Sequence, residues 1–371
     1  MNLVPKDPVS VLIVDDSPFM RLTMQKLLAK DPGIKVLDVA RNGREGIEKL
    51  RLLHPQVVTM DIEMPDIDGL QALDEIMRWQ PTPVIILSAI TVEGAQATLK
   101  AFDLGAFDVV AKPDSAPGND LHASIQELSE KIKAAAAVDP NQLPYRKRLA
   151  SKTWTEVAKT SARYEGKARA HTSSMTIAQA QFELVAIGTS TGGPSALQVV
   201  LPQLPADFPV PVVVVQHMPV GFTAPLAQRL NGLCALEVRE GVHGEVLNAG
   251  VVYVAPAGKQ VEVRRRGEQL LLNIGDNASV PTLYRPSVDV LFLSMAKEVG
   301  RKGLGVVMTG MGNDGSRGMQ MLKKAGGFSI VEAKETCVVY GMPKAIAELG
   351  LADRVVPLDE IALNIVECVR G

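Results

Sequence analysis

Five times within residues 8–137, a short β-branched or apolar run gives way to a stretch with helical spacing. The runs are Val11–Val14, Ile34–Ala40, Gln56–Met60, Pro83–Leu87 and Phe107–Ala111. The stretches between and after them are Phe19 to Leu28, Gly43 to Leu53, Leu70 to Trp79, Glu93 to Leu104 and Leu121 to Val138. Strands that are apolar throughout must be covered on both faces, and crossover helices on a parallel sheet do this. The alternation therefore predicts a doubly wound α/β domain with five parallel strands over residues 8–137.

In such a sheet the strand C-termini converge on one edge, where ligands bind. The first strand delivers Asp15 and Asp16, the third Asp61, the fourth Ser88 and the fifth Lys112. Three carboxylates at one spot repel one another unless a divalent cation sits among them, and hard oxygen ligands suit Mg2+. A lysine and a hydroxyl beside them suit a phosphoryl group. The double Asp, the Asp61-Ile-Glu-Met-Pro to Gly69 segment, Ser88 and Lys112-Pro113 together resemble the receiver domain of two-component response regulators. The resemblance implies phosphorylation on Asp61, with Asp16 and the Glu63 carbonyl holding Mg2+ and Asp15 supporting its water shell. It also implies that Ser88 and Lys112 contact the phosphoryl oxygens. Many receivers carry an aromatic three residues before the lysine. Val109 stands there, a departure from the family's aromatic-swing form of switching.

Residues 138–181 change character. Arg146, Lys147, Arg148, Lys152, Lys159, Arg163, Lys167 and Arg169 face only Asp139, Glu156 and Glu165, and hydrophobic periodicity is poor. This reads as a basic linker.

Residues 182–371 return to alternating elements. Runs at Leu184–Ile187, Val210–Val215, Val251–Pro256, Gly305–Thr309 and Phe328–Glu332 read as strands, and Gln260–Val263 with Leu270–Ile274 as a hairpin. Helices are expected from Pro194, over Ser287–Val299, and through Met319 to Leu322. The pattern again predicts a doubly wound α/β domain. The turn Gly188-Thr189-Ser190-Thr191-Gly192-Gly193 joins a strand to a helix start, which gathers backbone N–H groups and a helix N-terminus at one point. A serine held there can be a nucleophile, or the turn can cradle an anion. Three strand ends carry Ser190, His217 and Asp314, in that order, and these are the residue types that ester hydrolysis by serine needs. Glycine-rich turns at Ser190 and Met311 can supply backbone donors to an oxyanion. The turn at 188–193 lacks the lysine of a phosphate-binding nucleotide loop and a full dinucleotide fingerprint.

Gly188–Gly193, Gln216-His217-Met218-Pro219, Arg285-Pro286-Ser287-Val288-Asp289 and Thr309–Gly315 together look like the catalytic domain of the chemotaxis protein-glutamate methylesterases. With the receiver ahead of it, the resemblance covers nearly the whole chain. It implies an α/β serine-esterase domain with Ser190 as nucleophile, His217 as base, Asp314 as its orienting carboxylate and the Met311 N–H as an oxyanion donor. No cofactor is implied for the esterase chemistry. The implied substrate is the cytoplasmic region of methyl-accepting chemoreceptors, whose glutamyl methyl esters are hydrolysed and certain glutamines deamidated. The implied phosphodonor is a sensor histidine kinase, and the unphosphorylated receiver is expected to restrain the active site. The rival reading is a nonenzymatic output or nucleotide-binding module with phosphate in the glycine turn.

The remaining composition fits a cytoplasmic protein. Net charge of −2 argues against general nucleic-acid binding. No apolar run approaches the roughly 18 residues of a membrane span, and Cys234, Cys337 and Cys368 lack paired or metal-type spacing.

Overall fold

A computed structural model of the chain describes residues 7–112, 121–138 and 182–371. Pro113 and the expected linker beyond residue 138 lie outside the described residues. The chain divides into two compact units.

The first unit is a five-stranded sheet of β1 (Val9–Val14), β2 (Ile34–Ala40), β3 (Val57–Asp61), β4 (Val84–Ser88) and β5 (Asp108–Ala111), all parallel, in the order β2-β1-β3-β4-β5. Helices α1 (Pro18–Leu28), α2 (Gly43–Leu53), α3 (Gly69–Trp79), α4 (Val92–Leu104) and α5 (Leu121–Ala136) complete it. The predicted elements are present, with ends moved by a residue or two. Helix starts follow from local chemistry. Ser17, Asn42, Asp68 and Thr91 each accept a backbone N–H two or three residues into the helix they precede. Asp68 and Gln71 form a reciprocal capping box. Gly69 is required by close approach, since a Cβ there would lie 2.1 Å from the Asp61 carbonyl oxygen.

The second unit is a seven-stranded parallel sheet in the order β14-β13-β12-β6-β7-β9-β8. Its strands are β6 (Leu184–Thr189), β7 (Val212–Gln216), β8 (Glu237–Glu240), β9 (Val251–Val254), β12 (Gly303–Val307), β13 (Phe328–Glu332) and β14 (Arg354–Val356). The hairpin β10 (Gln260–Arg266) and β11 (Gln269–Gly275) pairs antiparallel as a separate two-stranded sheet. The helices that follow β6 along the chain are α6 (Gly193–Val200), α7 (Thr223–Asn231), α8 (Val288–Glu298), α9 (Ser316–Lys324), α10 (Met342–Glu348) and α11 (Leu358–Arg370). The edge strands β8 and β14 were not foreseen. They are short, and Glu237, Arg239, Glu240 and Arg354 interrupt any apolar run.

β6 sits between β12 and β7, so the chain leaves it to one side first and returns on the other later. Such a point opens a crevice beyond the strand C-termini. α8 packs closely against β6 near the end of the strand. A Cβ on Gly188 would lie 2.4 Å from Val288 Cγ1, so only glycine at the end of β6 lets the helix come so close. Val288, Leu291, Phe292 and Met295 of α8 join the core with Val261 and Val263 of β10. Each fully buried side chain of this kind contributes roughly 1.5–3 kcal/mol.

Candidate active site

Strand register brings the first two members together. Thr189 lies opposite Gln216, so Ser190 and His217 are the next residues on adjacent strands. The His217 N–H donates to the Thr189 carbonyl at 3.1 Å, and the Ser190 N–H to the Thr309 carbonyl at 3.0 Å. Gln216 ties the two turns: its Nε2 donates to the carbonyls of Ser190 (2.9 Å) and His217 (2.8 Å). Gly310 leaves room for the serine, because a Cβ there would lie 2.8 Å from Ser190 Cβ.

Asp314 is not at a strand end. β12 stops at Val307, and the chain runs on through a glycine-rich loop before Asp314 precedes α9. Its Oδ2 lies 2.8 Å from His217 Nε2. The rest of the carboxylate is held by the start of α8. Oδ2 accepts the Val288 N–H (2.7 Å), and Oδ1 accepts the Ser287 hydroxyl (2.8 Å), the Asp289 N–H (3.0 Å) and the Gly315 N–H (3.1 Å). Burial alone would push this carboxyl up. The hydrogen bond and charge of His217, with the Asp289 and Val288 N–H groups, outweigh it and hold Asp314 below the ordinary carboxylate range. The arrangement is reciprocal, since Asp289 of α8 accepts the Gly318 N–H of α9 at 2.7 Å.

With Nε2 turned to a carboxylate, its proton sits there and the lone pair is on Nδ1. His217 Nδ1 is buried and has no hydrogen-bond partner among the described residues. The imidazole stacks on Tyr284, with ring centroids 4.3 Å apart and planes 1° from parallel. Met311 follows Gly310 in the loop after β12, and among the described residues no backbone carbonyl accepts its N–H.

Ser287, Gln216 and Tyr284 were missed as site residues. Ser287 carried a signal of a kind, since a serine before a helical stretch reads as an N-cap. Here it makes no capping bond, and Asp314 from a distant loop caps α8 instead.

The first unit gathers its residues at the corresponding sheet edge. Val14 lies opposite Met60, which sets Asp15 beside Asp61, and Ser88 lies opposite Ala111, next to Lys112. Oxygen atoms of Asp15, Asp16 and Asp61 lie within 4.8 Å of one another. Lys112 Nζ is 2.5 Å from Asp61 Oδ2 and 3.8 Å from Asp15 Oδ2. Burial pushes Asp15 up to about 6, with Lys112 pulling it down and Asp61 adding to the rise. Burial also raises Asp61, against the hydrogen bond and charge of Lys112. Asp15 Oδ2 is buried without a hydrogen-bond partner. A crowded carboxylate cluster with an orphaned oxygen fits a hard divalent cation. The Glu63 side chain is exposed, and its N–H donates to Asp61 Oδ1 at 3.3 Å. The Ser88 hydroxyl donates to the Gly94 (3.2 Å) and Ala89 (3.3 Å) carbonyls. Val109 is buried, and its carbonyl accepts Lys131 Nζ at 2.7 Å.

The chain matches the CheB methylesterase family over residues 185–365 and the response regulator receiver domain over residues 11–126. A protein-glutamate methylesterase/protein-glutamine glutaminase of Desulfitobacterium hafniense is 61% identical over 99% of both chains. One of the same description from Symbiobacterium thermophilum is 46% identical over 98% of this chain and 97% of its own. The Thermotoga maritima CheB methylesterase catalytic domain is 41% identical, with a TM-score of 0.49 over 51% of this chain and 99% of that one.

Proposed function

As the chain belongs to the CheB methylesterase family, with a response regulator receiver domain ahead of the catalytic domain, we propose that it hydrolyses glutamyl methyl esters on chemoreceptors under control of phosphorylation at Asp61. The observation that carries the catalytic assignment is the 2.8 Å contact of His217 Nε2 with a carboxylate already held by four other donors, beside Ser190 on the neighbouring strand.

His217 Nδ1 takes the Ser190 proton as Oγ attacks the ester carbonyl carbon. The tetrahedral oxyanion is held by the Met311 N–H. Collapse breaks the bond to methoxide, which takes the proton from His217 and leaves as methanol. Water then attacks the acyl-serine with His217 as base, releasing the glutamate and restoring Ser190. Asp314 stays ionised throughout and stabilises the imidazolium. With a glutamine substrate the same steps expel ammonia.

In the receiver, an Asp61 oxygen attacks the phosphorus of a kinase phosphohistidine as the N–P bond breaks. Asp16, Asp61 and the Glu63 carbonyl would hold Mg2+, with Asp15 supporting its water shell. Bound there, the cation neutralises charge on the carboxylates and phosphoryl oxygens. Lys112 and Ser88 contact those oxygens, for which Ser88 must turn from its present carbonyl partners. Phosphorylation then relieves a restraint that the receiver imposes on the esterase. The folded boundaries we assign are 8–137 and 182–371, joined by the basic linker 138–181. We place the enzyme in the cytoplasm with the receptor region and kinase it serves. No helix among the described residues is long and apolar enough to cross a membrane.

Methanol release from a methylated receptor fragment tests this, in wild type and Ser190→Ala with and without a small phosphodonor. Release that needs Ser190 and rises with phosphodonor supports the reading. Release undiminished in Ser190→Ala overturns the assignment, and none from wild type favours the binding-module reading.

A further inference from the structure

A single hydrogen bond does not orient an imidazole. The Nε2–Asp314 contact fixes one edge of His217, yet the ring can still turn about that line and carry Nδ1 away from Ser190. The only aromatic ring stacked on it among the described residues is Tyr284, at 4.3 Å and 1°. We infer that Tyr284 is a positioning residue for His217, its ring setting the plane in which Nδ1 meets the Ser190 hydroxyl. The inference rests on the catalytic reading given above.

Tyr284 is itself held in place. Its N–H donates to Thr282 Oγ1 at 3.1 Å, and its carbonyl accepts Gln260 Nε2 at 2.7 Å. The other end of that buried amide accepts the Ser287 N–H at 3.0 Å, and the Arg285 carbonyl accepts the Gly258 N–H at 2.9 Å. One glutamine on β10 thus sets both the residue that stacks on the base and the residue that holds its carboxylate. The Tyr284 hydroxyl reaches toward the Met311 loop, where a Cβ on Gly312 would lie 3.0 Å from it. Gly312 has a φ of 83°, so this loop keeps a glycine-only conformation at the point of contact. The ring therefore spans the base and the loop that carries the oxyanion donor.

The test uses the full chain with a small phosphodonor, methylated receptor fragment, and NMR of 13C-labelled histidine. Tyr284→Leu keeps bulk but removes the flat face; Tyr284→Phe keeps the face. We expect Tyr284→Leu to lower kcat about tenfold or more at unchanged KM. The His217 ring resonance should lose its stacking shift. Tyr284→Phe should stay within about twofold of wild type in kcat, with the resonance in place. Unchanged kcat in Tyr284→Leu, a change in KM alone, or equal loss in Tyr284→Phe would each overturn the inference. The resonance separates the two failures. A wild type that releases no methanol, while Tyr284→Leu still loses the His217 shift, refutes the esterase reading and sustains the positioning role.

Discussion

The Ser287 hydroxyl donates to Asp314 Oδ1 at 2.8 Å and gives nothing to the helix it precedes. The N-terminus of α8 is instead satisfied by the same carboxylate, through Val288 and Asp289. A helix N-terminus carries partial positive charge, so this carboxylate caps α8 as well as filling its proposed role of orienter for His217. A hydrogen bond to a charged group is worth about 1.5–3 kcal/mol. Ser287→Ala should lower kcat roughly tenfold and reduce stability by about that amount. Methanol kinetics alongside urea unfolding check this, and a stability loss with unchanged kcat would reduce Ser287 to a structural role.

Asp314→Asn tests the same cradle from the other side. Five donors converge on the carboxylate, counting His217, and an amide offers one accepting oxygen and a donating NH2. Wherever the NH2 points, it meets another donor. The substitution should cost about 10⁴ in kcat, as loss of an orienting carboxylate does in other serine hydrolases, and should also destabilise the second unit. An Asn variant with full activity would remove Asp314 from the mechanism.

Legibility in the sequence followed what each residue does locally. Asp15, Asp61, Ser88 and Lys112 each sit at the end of a strand whose apolar run is plain, so parallel order alone brings them to one edge. In the sequence Gly69 marks only the end of the segment that resembles receiver domains, and the structure supplies the reason, since a Cβ there would press on the Asp61 carbonyl. Asp314 is different. It lies well past its strand, and nothing local says that its partners are the backbone of α8, some 25 residues back. Ser287 and Tyr284 act through contacts that no periodicity encodes. The edge strands β8 and β14 were illegible because edge strands carry charge.

Gly310→Ala should separate placement of Ser190, the proposed nucleophile, from its chemistry. The added Cβ would lie 2.8 Å from Ser190 Cβ and 2.5 Å from Met342 Sδ. The methionine can move, since it is flexible, whereas Ser190 is fixed by its N–H bond to the Thr309 carbonyl. A misplacement of about 1 Å at a reacting group can cost about 10²-fold. The variant should therefore keep most of its thermal stability and lose kcat by one to two orders of magnitude. Wild-type kcat would show that Ser190 tolerates the displacement and that its placement is looser than the contact implies.

Asp61→Asn removes the proposed phosphoacceptor and the partner of Lys112 at 2.5 Å. The difference in methanol release with and without phosphodonor should vanish in this variant. A phosphodonor response of wild-type size would place the acceptor elsewhere.

Asp15 ties the stability of the receiver to pH and to a divalent cation held in the cluster. Its folded carboxyl titrates near 6, raised mainly by burial, against about 3.9 in an unfolded chain. Between those values the folded protein keeps a proton that the unfolded chain has released, so stability falls as pH rises through the window. The contribution is fully present below about pH 4 and lost above about pH 6. At neutral pH the cation-free receiver thus carries a cost on the order of 2–3 kcal/mol from this one group. Asp15→Asn removes the charge and keeps the shape. In EDTA at pH 7.5 its receiver transition should melt several degrees above wild type, and the gap should close at pH 4.5. Mg2+ should raise the wild-type transition more at pH 7.5 than at pH 4.5, because at the lower pH it competes with a proton. Asp15→Asn should respond less than wild type at either pH. Calorimetry of the full chain, following the receiver transition, reads all four conditions. An Asn variant less stable than wild type in EDTA at pH 7.5 would mean that the buried charge is already compensated by Lys112, and that the cluster has no need of a cation to hold its shape.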